Sequence, residues 1–304
     1  MAGEQVIDVK RIGISRVKDP RLRISGLPDS VRKRKERQKK YNPRGIDDLP
    51  VDHDLCYGFD FDRSLRPYKL VKSLWGDAYD IQIFGRLGLC CYNFQQGTNL
   101  KFVRWEKYNI KPTSTINFYV TLEAMDPALH SLFSFQTLFS YTRPRVGISL
   151  KWSTFAGRIK CNEAVYNYWI ESDNAIDDFY KGDMPKWVSD EDLAAGNNKY
   201  YVLQESELHE NEWWLHLFAE IAFYSKQGST LRAAPRLEIK RALVETREEA
   251  RREPLEKLKA GNAIFYISYK YNGDPSTGLA GDHKAIIRKT MDGYPGHMCL
   301  EVAE

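Results

Sequence analysis

The stretch Ile83–Phe94, with the sequence IFGRLGLCCYNF, decides which fold the chain is expected to adopt. Four apolar side chains share one helical face because they are spaced i, i+4, i+7 and i+11. These four are Ile83, Leu87, Cys90 and Phe94. Gly85 and Gly88 each weaken a helix by roughly 1 kcal/mol relative to alanine. The stretch therefore predicts a helix whose two glycines allow close approach to a neighbouring element.

Strands are predicted after this helix. Beyond Gly97 the apolar period changes to two, which is typical of half-buried strands. Four segments have this pattern: Asn99–Lys107, Asn117–Ala124, Leu132–Ser140 and Arg145–Trp152. In the second segment Phe118, Val120 and Leu122 face one way. One helix followed by four antiparallel strands predicts a compact α+β unit with the helix lying across the sheet.

The rest of the chain is interpreted as a connector and a second strand-rich region. Residues 171–195 have eight carboxylates against two lysines, which indicates a solvated connection. Five apolar runs follow: Trp213–Tyr224, Leu237–Thr246, Ala263–Tyr271, His283–Met291 and His297–Val302. Thr246–Lys259 is highly charged and contains Pro254, so a solvated helix or loop is expected there.

The predicted domain organisation has four parts. Residues 1–54 form a basic, disordered tail, and residues 55–155 form the domain with the helix and the first four strands. Residues 156–200 are the acidic connector, and residues 201–304 are a C-terminal strand-rich domain. The sequence leaves open whether this last part is a second unit or extends the first sheet.

The composition is that of a folding protein, and it argues against a membrane span or a secretory signal. Of the 304 residues, 42% are apolar, and the mean hydropathy is −0.53. No stretch of roughly 18 residues lacks charges, as a membrane span would require, and the first residues lack the apolar core of a signal peptide. Five scattered cysteines, an odd number, indicate a reducing compartment. A cytoplasmic or nuclear location is therefore expected.

Positive charge is concentrated in the N-terminal tail. Residues 1–50 have 14 basic and 7 acidic side chains, whereas the rest has 31 and 34. Seven cations lie close together: Arg32, Lys33, Arg34, Lys35, Arg37, Lys39 and Lys40. Such a run can serve nuclear import or polyanion binding, or it can simply keep the tail soluble. The sequence favours neither interpretation.

Catalytic patterns are incomplete in this sequence. Cys90 or Cys91 could be a nucleophile paired with a distant histidine. A small buried thiol on the apolar helix face is the commoner role. His209 and His216 lack a third metal ligand nearby. We therefore expect no enzymatic activity, no cofactor, no metal and no small-molecule substrate.

Three segments in register resemble the plant cystatins, which are small protein inhibitors of papain-like cysteine proteases. Phe84–Asn93 resembles their helix signature, Leu100–Arg104 the start of their second strand, and Tyr119–Ala124 their third strand. Together the three segments lie within 41 residues of the chain.

A closer resemblance, over roughly residues 58–300, is to a plant-specific, uncharacterised group of cystatin/monellin-like proteins. Four segments show it: Gly85–Asn93, Gly97–Arg104, Tyr119–Pro127 and Asn262–Lys270. The resemblance implies a cystatin/monellin-like α+β fold, in which a helix packs on a curved antiparallel β-sheet, together with a second strand-rich α+β region. Residues 55–155 are then the cystatin-like domain.

The resemblance also locates the loops with which cystatins block a protease. Their first loop contains Gln-x-Val-x-Gly, and the corresponding residues here are Lys111, Pro112, Thr113, Ser114 and Thr115. Thr115 replaces a glycine, and a β-branched residue disfavours the positive φ that glycine permits. The second loop has Pro144 followed by Arg145 in place of Pro-Trp. The protease-contacting residues are thus replaced.

Three functions are therefore considered. The first is a non-catalytic, intracellular protein-interaction module that binds a protein partner through Lys111–Thr115. The alternative is an inhibitor of papain-like cysteine proteases with atypical loops. The third is a nucleic-acid-associated protein that binds through the tail cations.

Overall fold

The computed structural model describes residues 58–59, 78–112, 116–142, 150–160, 175–194, 199–227, 231, 233–247, 254–273 and 278–303. All of them belong to one compact unit, Leu49–Glu304. Five α-helices have both ends in this part of the chain: α1 (Ala78–Gln96), α2 (Asp190–Ala194), α3 (Glu205–Glu210), α4 (Glu212–Gln227) and α5 (Pro254–Lys259). None of the helices described is long and apolar enough to cross a membrane.

The described residues contain nine strands. The first four are β1 (Lys101–Pro112), β2 (Ile116–Asp126), β3 (Ser131–Thr142) and β4 (Leu150–Ile159). The other five are β5 (Tyr200–Val202), β6 (Leu237–Glu245), β7 (Ala263–Tyr271), β8 (Gly281–Thr290) and β9 (His297–Ala303).

These strands form one antiparallel sheet in the order β1-β2-β3-β4-β9-β8-β7-β6-β5. Strands β1–β4 form a meander after α1, and β6–β9 form a second meander after α4. The two meanders join where β4 pairs with β9, with Trp152 opposite Leu300. Residues 200–303 therefore extend the sheet that β1–β4 begin.

The cystatin/monellin-like fold class expected from the sequence is wrong. The structure instead has a nine-stranded sheet with the two long helices α1 and α4 packed into one core with it. Local periodicity predicts that a segment is a strand, but it contains no information about a distant neighbour. The pairing of Leu150 with Val302 is such a distant contact.

Helix α1 confirms the helix predicted from Ile83 to Phe94 and extends it at both ends. Leu87 and Cys90 are fully buried against the sheet. The predicted close approach is also present, because a Cβ atom added at Gly88 would lie 1.9 Å from Oγ1 of Thr137 on β3. A side chain at this position therefore displaces α1 from the sheet.

Replacing Gly88 with alanine is expected to lower the free energy of unfolding by about 2 kcal/mol, because the added methyl group overlaps Thr137. The Thr137 hydroxyl is held in place by donating to the Ala156 carbonyl at 2.8 Å. Gly85→Ala is the matched control, since its Cβ would approach the movable Cδ2 of Leu122 at 2.8 Å. Urea denaturation measures both variants, and equal losses would contradict the tight contact at Gly88.

The helix-facing side of the sheet contains the main apolar core. Phe84 of α1 stacks on Phe139 of β3 with ring centroids 4.2 Å apart. Phe218 of α4 meets Phe265 of β7 edge to face, with centroids 5.6 Å apart. The two helices also contact each other. One continuous core therefore joins both meanders.

Two predicted segments need correction. Trp213–Tyr224, grouped with the strand-rich runs, lies in helix α4, and residues 217–224 of this helix are all buried. Apolar residues occupy most positions of this helix, so its 3.6-residue period is weak and the segment resembles a buried strand. Thr246–Lys259, expected to be solvated, ends in α5, where Leu258 is buried in the main core.

The opposite face of the sheet is covered in two places. Phe59 packs on Tyr119, Leu138 and Ala156 at the first meander. The acidic connector covers the second meander, where Tyr180 and other side chains of residues 176–202 pack on strands β6–β8.

Candidate functional site

Strand β1 is the longer of the two sheet edges. Within the described residues it pairs only with β2. Its 12 residues include four cations and one carboxylate: Lys101, Arg104, Lys107, Lys111 and Glu106. The other edge, β5, has 3 residues. Strand β1 is therefore the longer edge, and cations on an edge strand are one of the features that protect it from pairing with another chain.

Two β-bulges interrupt the pairing of β1 with β2. The register shifts between Phe102 and Arg104 and again between Trp105 and Lys107, so Val103 and Glu106 have no partner on β2. A bulge re-aims the side chain of its extra residue. Val103 is 43% exposed.

Three exposed apolar side chains lie at the end of the sheet where β1 begins and where a turn joins β2 to β3. We call these three side chains the turn surface. They are Val103 with 43% of its surface exposed, Leu129 with 68% and Leu132 with 57%. Leu132 on β3 pairs with Met125 on β2, which in turn pairs with Lys101 on β1. The turn surface therefore spans the three outermost strands.

The turn between β2 and β3 presents Leu129 to solvent. Asp126 fixes this turn, because its Oδ1 accepts a hydrogen bond from the Ala128 amide at 2.8 Å. His130 ends the turn with a positive φ of 49°. Leu129 is thus held outward by a defined turn.

The sites predicted from the sequence lie elsewhere or outside the described residues. Lys111 and Pro112 end β1, at the far end of the strand from the turn surface. Residues 113–115 of the predicted loop, Pro144 with Arg145, and the cations between Arg32 and Lys40 lie outside the described residues. Lys111 and Pro112 are therefore not part of the turn surface, and the binding roles of all these residues stay predictions.

Cys90 and Cys91, considered as nucleophiles, are both fully buried on α1. Burial raises the pKa of the Cys91 thiol to about 12 and raises the pKa of Cys90 well above its usual range. Both thiols therefore stay protonated at neutral pH, whereas a nucleophile requires the thiolate. They act as small core residues in this structure.

Lys289 on β8 is a fully buried amine that the sequence reasoning missed. Its Nζ has no hydrogen-bond partner and lies 4.0 Å from the centre of the Phe94 ring. Burial lowers the pKa of Lys289 to about 8. The position could have been found from the period of two in β8, because Lys289 shares the helix-facing side with Ala285 and Ile287.

A buried pair holds the connection between β8 and β9. His297 Nδ1 lies 2.9 Å from Asp292 Oδ2, and both side chains are almost completely buried. Gln95 of α1 binds the same connection: its Nε2 donates to the Tyr294 carbonyl at 2.8 Å, and its Oε1 accepts from the Gly296 amide at 2.7 Å. These contacts fix the connection to the end of α1.

His209 and His216 both approach Glu212. His209 Nδ1 is 3.7 Å from Glu212 Oε2, and His216 Nε2 is 3.6 Å from Oε1. The sequence reasoning missed Glu212, although its spacing of three and four residues from the histidines is that of one helical face. Among the described residues no group of three His, Cys, Asp or Glu side chains is arranged to bind a metal ion.

An open depression of about 670 Å³ lies where the acidic connector meets the end of β6. Its charged lining residues pair with each other: Lys181 Nζ lies 2.7 Å from Asp178, and Arg247 contacts Asp177. Asp178 is 94% exposed, as expected for a solvated acidic stretch. Each charged side chain among the described residues that line this depression is therefore paired.

Comparison with known proteins gives the family. A UPF0725 protein of Arabidopsis thaliana is 39% identical over 269 residues, which cover 85% of this chain and 94% of that protein. The chain belongs to the UPF0725 family. A second UPF0725 protein of Arabidopsis thaliana is 41% identical over 257 residues, covering 80% of this chain and 70% of the relative.

The UPF0725 chain is also similar to protein MS5. The family model of protein MS5 matches residues 184–300, which include α4 and most of the second meander. A crystal structure of MS5 from Brassica napus matches with a TM-score of 0.57 and 26% identity, covering 73% of this chain and 95% of that chain.

These findings confirm part of the recognition made from the sequence. Membership in a plant protein family is confirmed by the UPF0725 relatives and by MS5. The relationship to cystatins is not confirmed, so the terms cystatin-like and protease inhibitor have no support from the UPF0725 family.

Proposed function

We propose that this protein is a non-catalytic protein-interaction module that binds its partner at the turn surface and the adjoining half of β1. The observation that supports this proposal is the position of the exposed large apolar side chains. Among the described residues there are four, and three of them form the turn surface, while the fourth, Phe179, lies on the acidic connector.

Several exposed apolar side chains at one end of a sheet favour a contact role. A single exposed leucine is ordinary on a protein surface, whereas neighbouring ones indicate an interaction site. Covering a fully exposed leucine stabilises a complex by roughly 1.5–3 kcal/mol. The fixed turn that holds Leu129 outward reduces the ordering cost of binding.

The proposal departs from the sequence-based expectation in its binding residues. The loop Lys111–Thr115 was selected because of the cystatin resemblance, and that relationship is not confirmed. Inhibition of papain-like proteases depended on the same resemblance, so we do not propose it. Nucleic-acid binding through the tail and a cytoplasmic or nuclear location stay predictions from the sequence.

A variant with both Leu129→Asp and Leu132→Asp tests the proposal. Tagged full-length protein captures partners from plant extract, and a captured protein is then purified and titrated against each variant. We expect its affinity to fall at least about tenfold in the double variant, because two charged groups are placed in an apolar contact.

Phe179→Asp is the matched control, since it introduces the same charge at the fourth exposed apolar side chain. It is expected to bind like the unchanged protein. Thermal melting confirms that all variants fold, as exposed substitutions usually change stability by less than about 0.5 kcal/mol. Equal partner affinity in the double variant and the control would rule out the turn surface.

A further inference from the structure

We infer that Ser189 is a phosphorylation site and that Arg241 and Lys284 bind the phosphate group once it is attached. Ser189 is exposed and lies in the acidic connector, immediately before α2. The inference goes beyond the proposed function, because it concerns the second meander and not the turn surface. It depends on three observations: the path of the connector over the sheet, two cations on the sheet and the residues that follow Ser189.

The connector is fixed to the sheet directly before Ser189. Val188 is buried in the apolar cluster that the connector forms with β6–β8. The ring of Trp187 packs edge to face on Tyr266 of β7, with ring centroids 5.8 Å apart. Packed side chains of this kind limit local opening of the chain. A group attached to Ser189 is therefore held near the surface of the sheet.

The connector contacts a cation on each side of Ser189. Before it, the Trp187 ring lies with its centre 4.9 Å from Nζ of Lys284 on β8. After it, Asp190 Oδ1 lies 3.8 Å from Nη1 of Arg241 on β6. The two cations pair with the same residue of β7, so their Cα atoms are two strand spacings apart, about 9.5 Å. Ser189 therefore lies between a lysine and an arginine.

A phosphate group at Ser189 suits these two cations. Phosphoserine has a charge of about −1.5 to −2 and three acceptor oxygens, and it forms charge-assisted hydrogen bonds with lysine and arginine. Lys284 now contacts a neutral ring. Arg241, which is 44% exposed, now has a contact of 3.8 Å with Asp190, whose side chain is 96% exposed. Both cations can therefore turn towards a more highly charged anion.

Carboxylates beside Ser189 oppose the phosphate. Asp192 Oδ2 accepts a hydrogen bond from Ser189 Oγ at 2.7 Å, and phosphorylation removes this donor. A phosphate next to a carboxylate is also repelled. However, Asp190 and Asp192 are exposed, so solvent and salt screen this repulsion. Arg241 is less exposed than Asp190. Its attraction to the phosphate is therefore screened less, and we expect attraction to prevail.

The residues after Ser189 indicate the kind of kinase that would act on it. Asp190, Glu191 and Asp192 follow, and no other serine in the sequence is followed directly by three carboxylates. A protein kinase with cations in its peptide groove has the complementary charge. In the reaction Ser189 Oγ bonds to the γ-phosphorus of ATP. The bond from this phosphorus to the bridging oxygen breaks and ADP leaves, while the hydroxyl proton passes to a base of the kinase.

The first test is a kinase reaction on the full-length protein. A protein kinase that selects serine followed by carboxylates is supplied with ATP, and mass spectrometry locates the phosphate. We expect Ser189 to be the main site and Ser189→Ala to take up at least about tenfold less phosphate. Ser206→Ala, at an exposed serine followed by one glutamate, is the matched control and is expected to be labelled like the unchanged protein. Equal labelling of Ser189→Ala, or no phosphate at Ser189, would overturn the inference.

The second test measures the attached phosphate. Phosphoserine is incorporated at position 189 of the full-length protein, and phosphorus NMR gives the second pKa of the phosphate, which is ordinarily about 6. Arg241→Gln combined with Lys284→Gln is expected to raise this pKa by at least about 0.5, because nearby cations favour the doubly charged phosphate.

Arg104→Gln combined with Lys259→Gln is the control for this measurement. It also removes one arginine and one lysine, from exposed positions on β1 and α5, and is expected to leave the pKa of the phosphate unchanged. Thermal melting confirms that both double variants fold. An equal pKa in all three phosphorylated proteins would show that Arg241 and Lys284 do not bind the phosphate, and the inference would then be wrong.

Discussion

Replacing the buried Lys289 with methionine is expected to raise the free energy of unfolding at neutral pH by about 3 kcal/mol. The side chain is fully buried, and its Nζ has no hydrogen-bond partner. Burial lowers the pKa of Lys289 from 10.5 to about 8, so the folded protein must still accommodate a charged amine at neutral pH. Methionine has a similar shape and no charge, so it removes this cost.

The pH dependence of this gain follows from the direction of the pKa shift. Between the folded pKa of about 8 and the unfolded value of 10.5, the unfolded chain binds more protons than the folded protein. The contribution of Lys289 to stability therefore becomes more favourable as the pH rises through this window. Below pH 8 the full penalty is present, and above 10.5 it is lost. The advantage of Lys289→Met is thus greatest at neutral pH.

Urea denaturation of both proteins from neutral pH to about pH 10 measures this difference. Lys270→Met, on the exposed side of the neighbouring strand β7, is the control and is expected to change stability by less than about 0.5 kcal/mol. If the difference between Lys289→Met and the unchanged protein were the same at every pH, the assigned pKa shift would be wrong.

Local sequence patterns were sufficient to predict several elements of the fold. The spacing of Leu87, Cys90 and Phe94 predicted α1, and Gly85 and Gly88 predicted its close approach to the sheet. The alternation of Phe118, Val120 and Leu122 predicted strand β2, which the structure confirms, although both faces of the strand are buried over residues 117–122. These features depend on residues near one another in the chain, so the sequence alone contains them.

Long-range contacts could not be predicted in this way. The pairing of β4 with β9 determines the nine-stranded sheet, yet no period of either strand specifies the other. Of the segment predicted as Arg145–Trp152, residues 150–152 lie in β4 and residues 145–149 lie outside the described residues. Over residues 217–224 helix α4 has a single charged residue, Glu220, and all eight residues are buried, so the polar face that marks an amphipathic helix is weak there. In both cases tertiary packing overrides the local signal.

The candidate site was missed for a related reason. Val103 is exposed because of a bulge, and a bulge is a mismatch between two strands that one strand does not reveal. Leu132 was expected within a strand, but its exposure depends on its position at the uncovered end of β3. The loop implied by the cystatin resemblance, Lys111–Thr115, begins at the other end of β1. The turn surface therefore depends on contacts between strands, which the sequence alone does not specify, and the binding roles of Lys111–Thr115 stay predictions.

The contact between α1 and α4 leads to the second large prediction. Glu220 of α4 is buried and accepts hydrogen bonds from two groups of α1. Tyr79 donates its hydroxyl to Oε1 at 2.7 Å, and Arg86 approaches Oε1 at 2.9 Å and Oε2 at 2.8 Å. Burial, reinforced by the Glu220 carboxylate, raises the pKa of Tyr79 far above its usual range, so Tyr79 stays a donor. One carboxylate thus joins the two helices.

Arg86→Met is expected to lower the free energy of unfolding by about 3 kcal/mol, because it leaves the Glu220 carboxylate buried without its counterion. This expected loss is at the lower end of the range for breaking a buried ion pair, since the Arg86 side chain is 25% exposed. Tyr79→Phe is expected to cost less, about 1–2 kcal/mol, because it removes one hydrogen bond and leaves the ion pair in place.

Adding Glu220→Gln to Arg86→Met separates the loss of charge pairing from the loss of packing. The amide keeps an oxygen that accepts from Tyr79, but it has no charge that needs Arg86. The double variant is therefore expected to recover most of the stability lost in Arg86→Met, and urea denaturation of the four proteins of this cycle gives the coupling energy. A double variant as unstable as Arg86→Met would show that Arg86 acts through the packing of its aliphatic stem instead. Recovery of stability in the double variant would mean that Arg86 is needed because it neutralises the Glu220 carboxylate between α1 and α4.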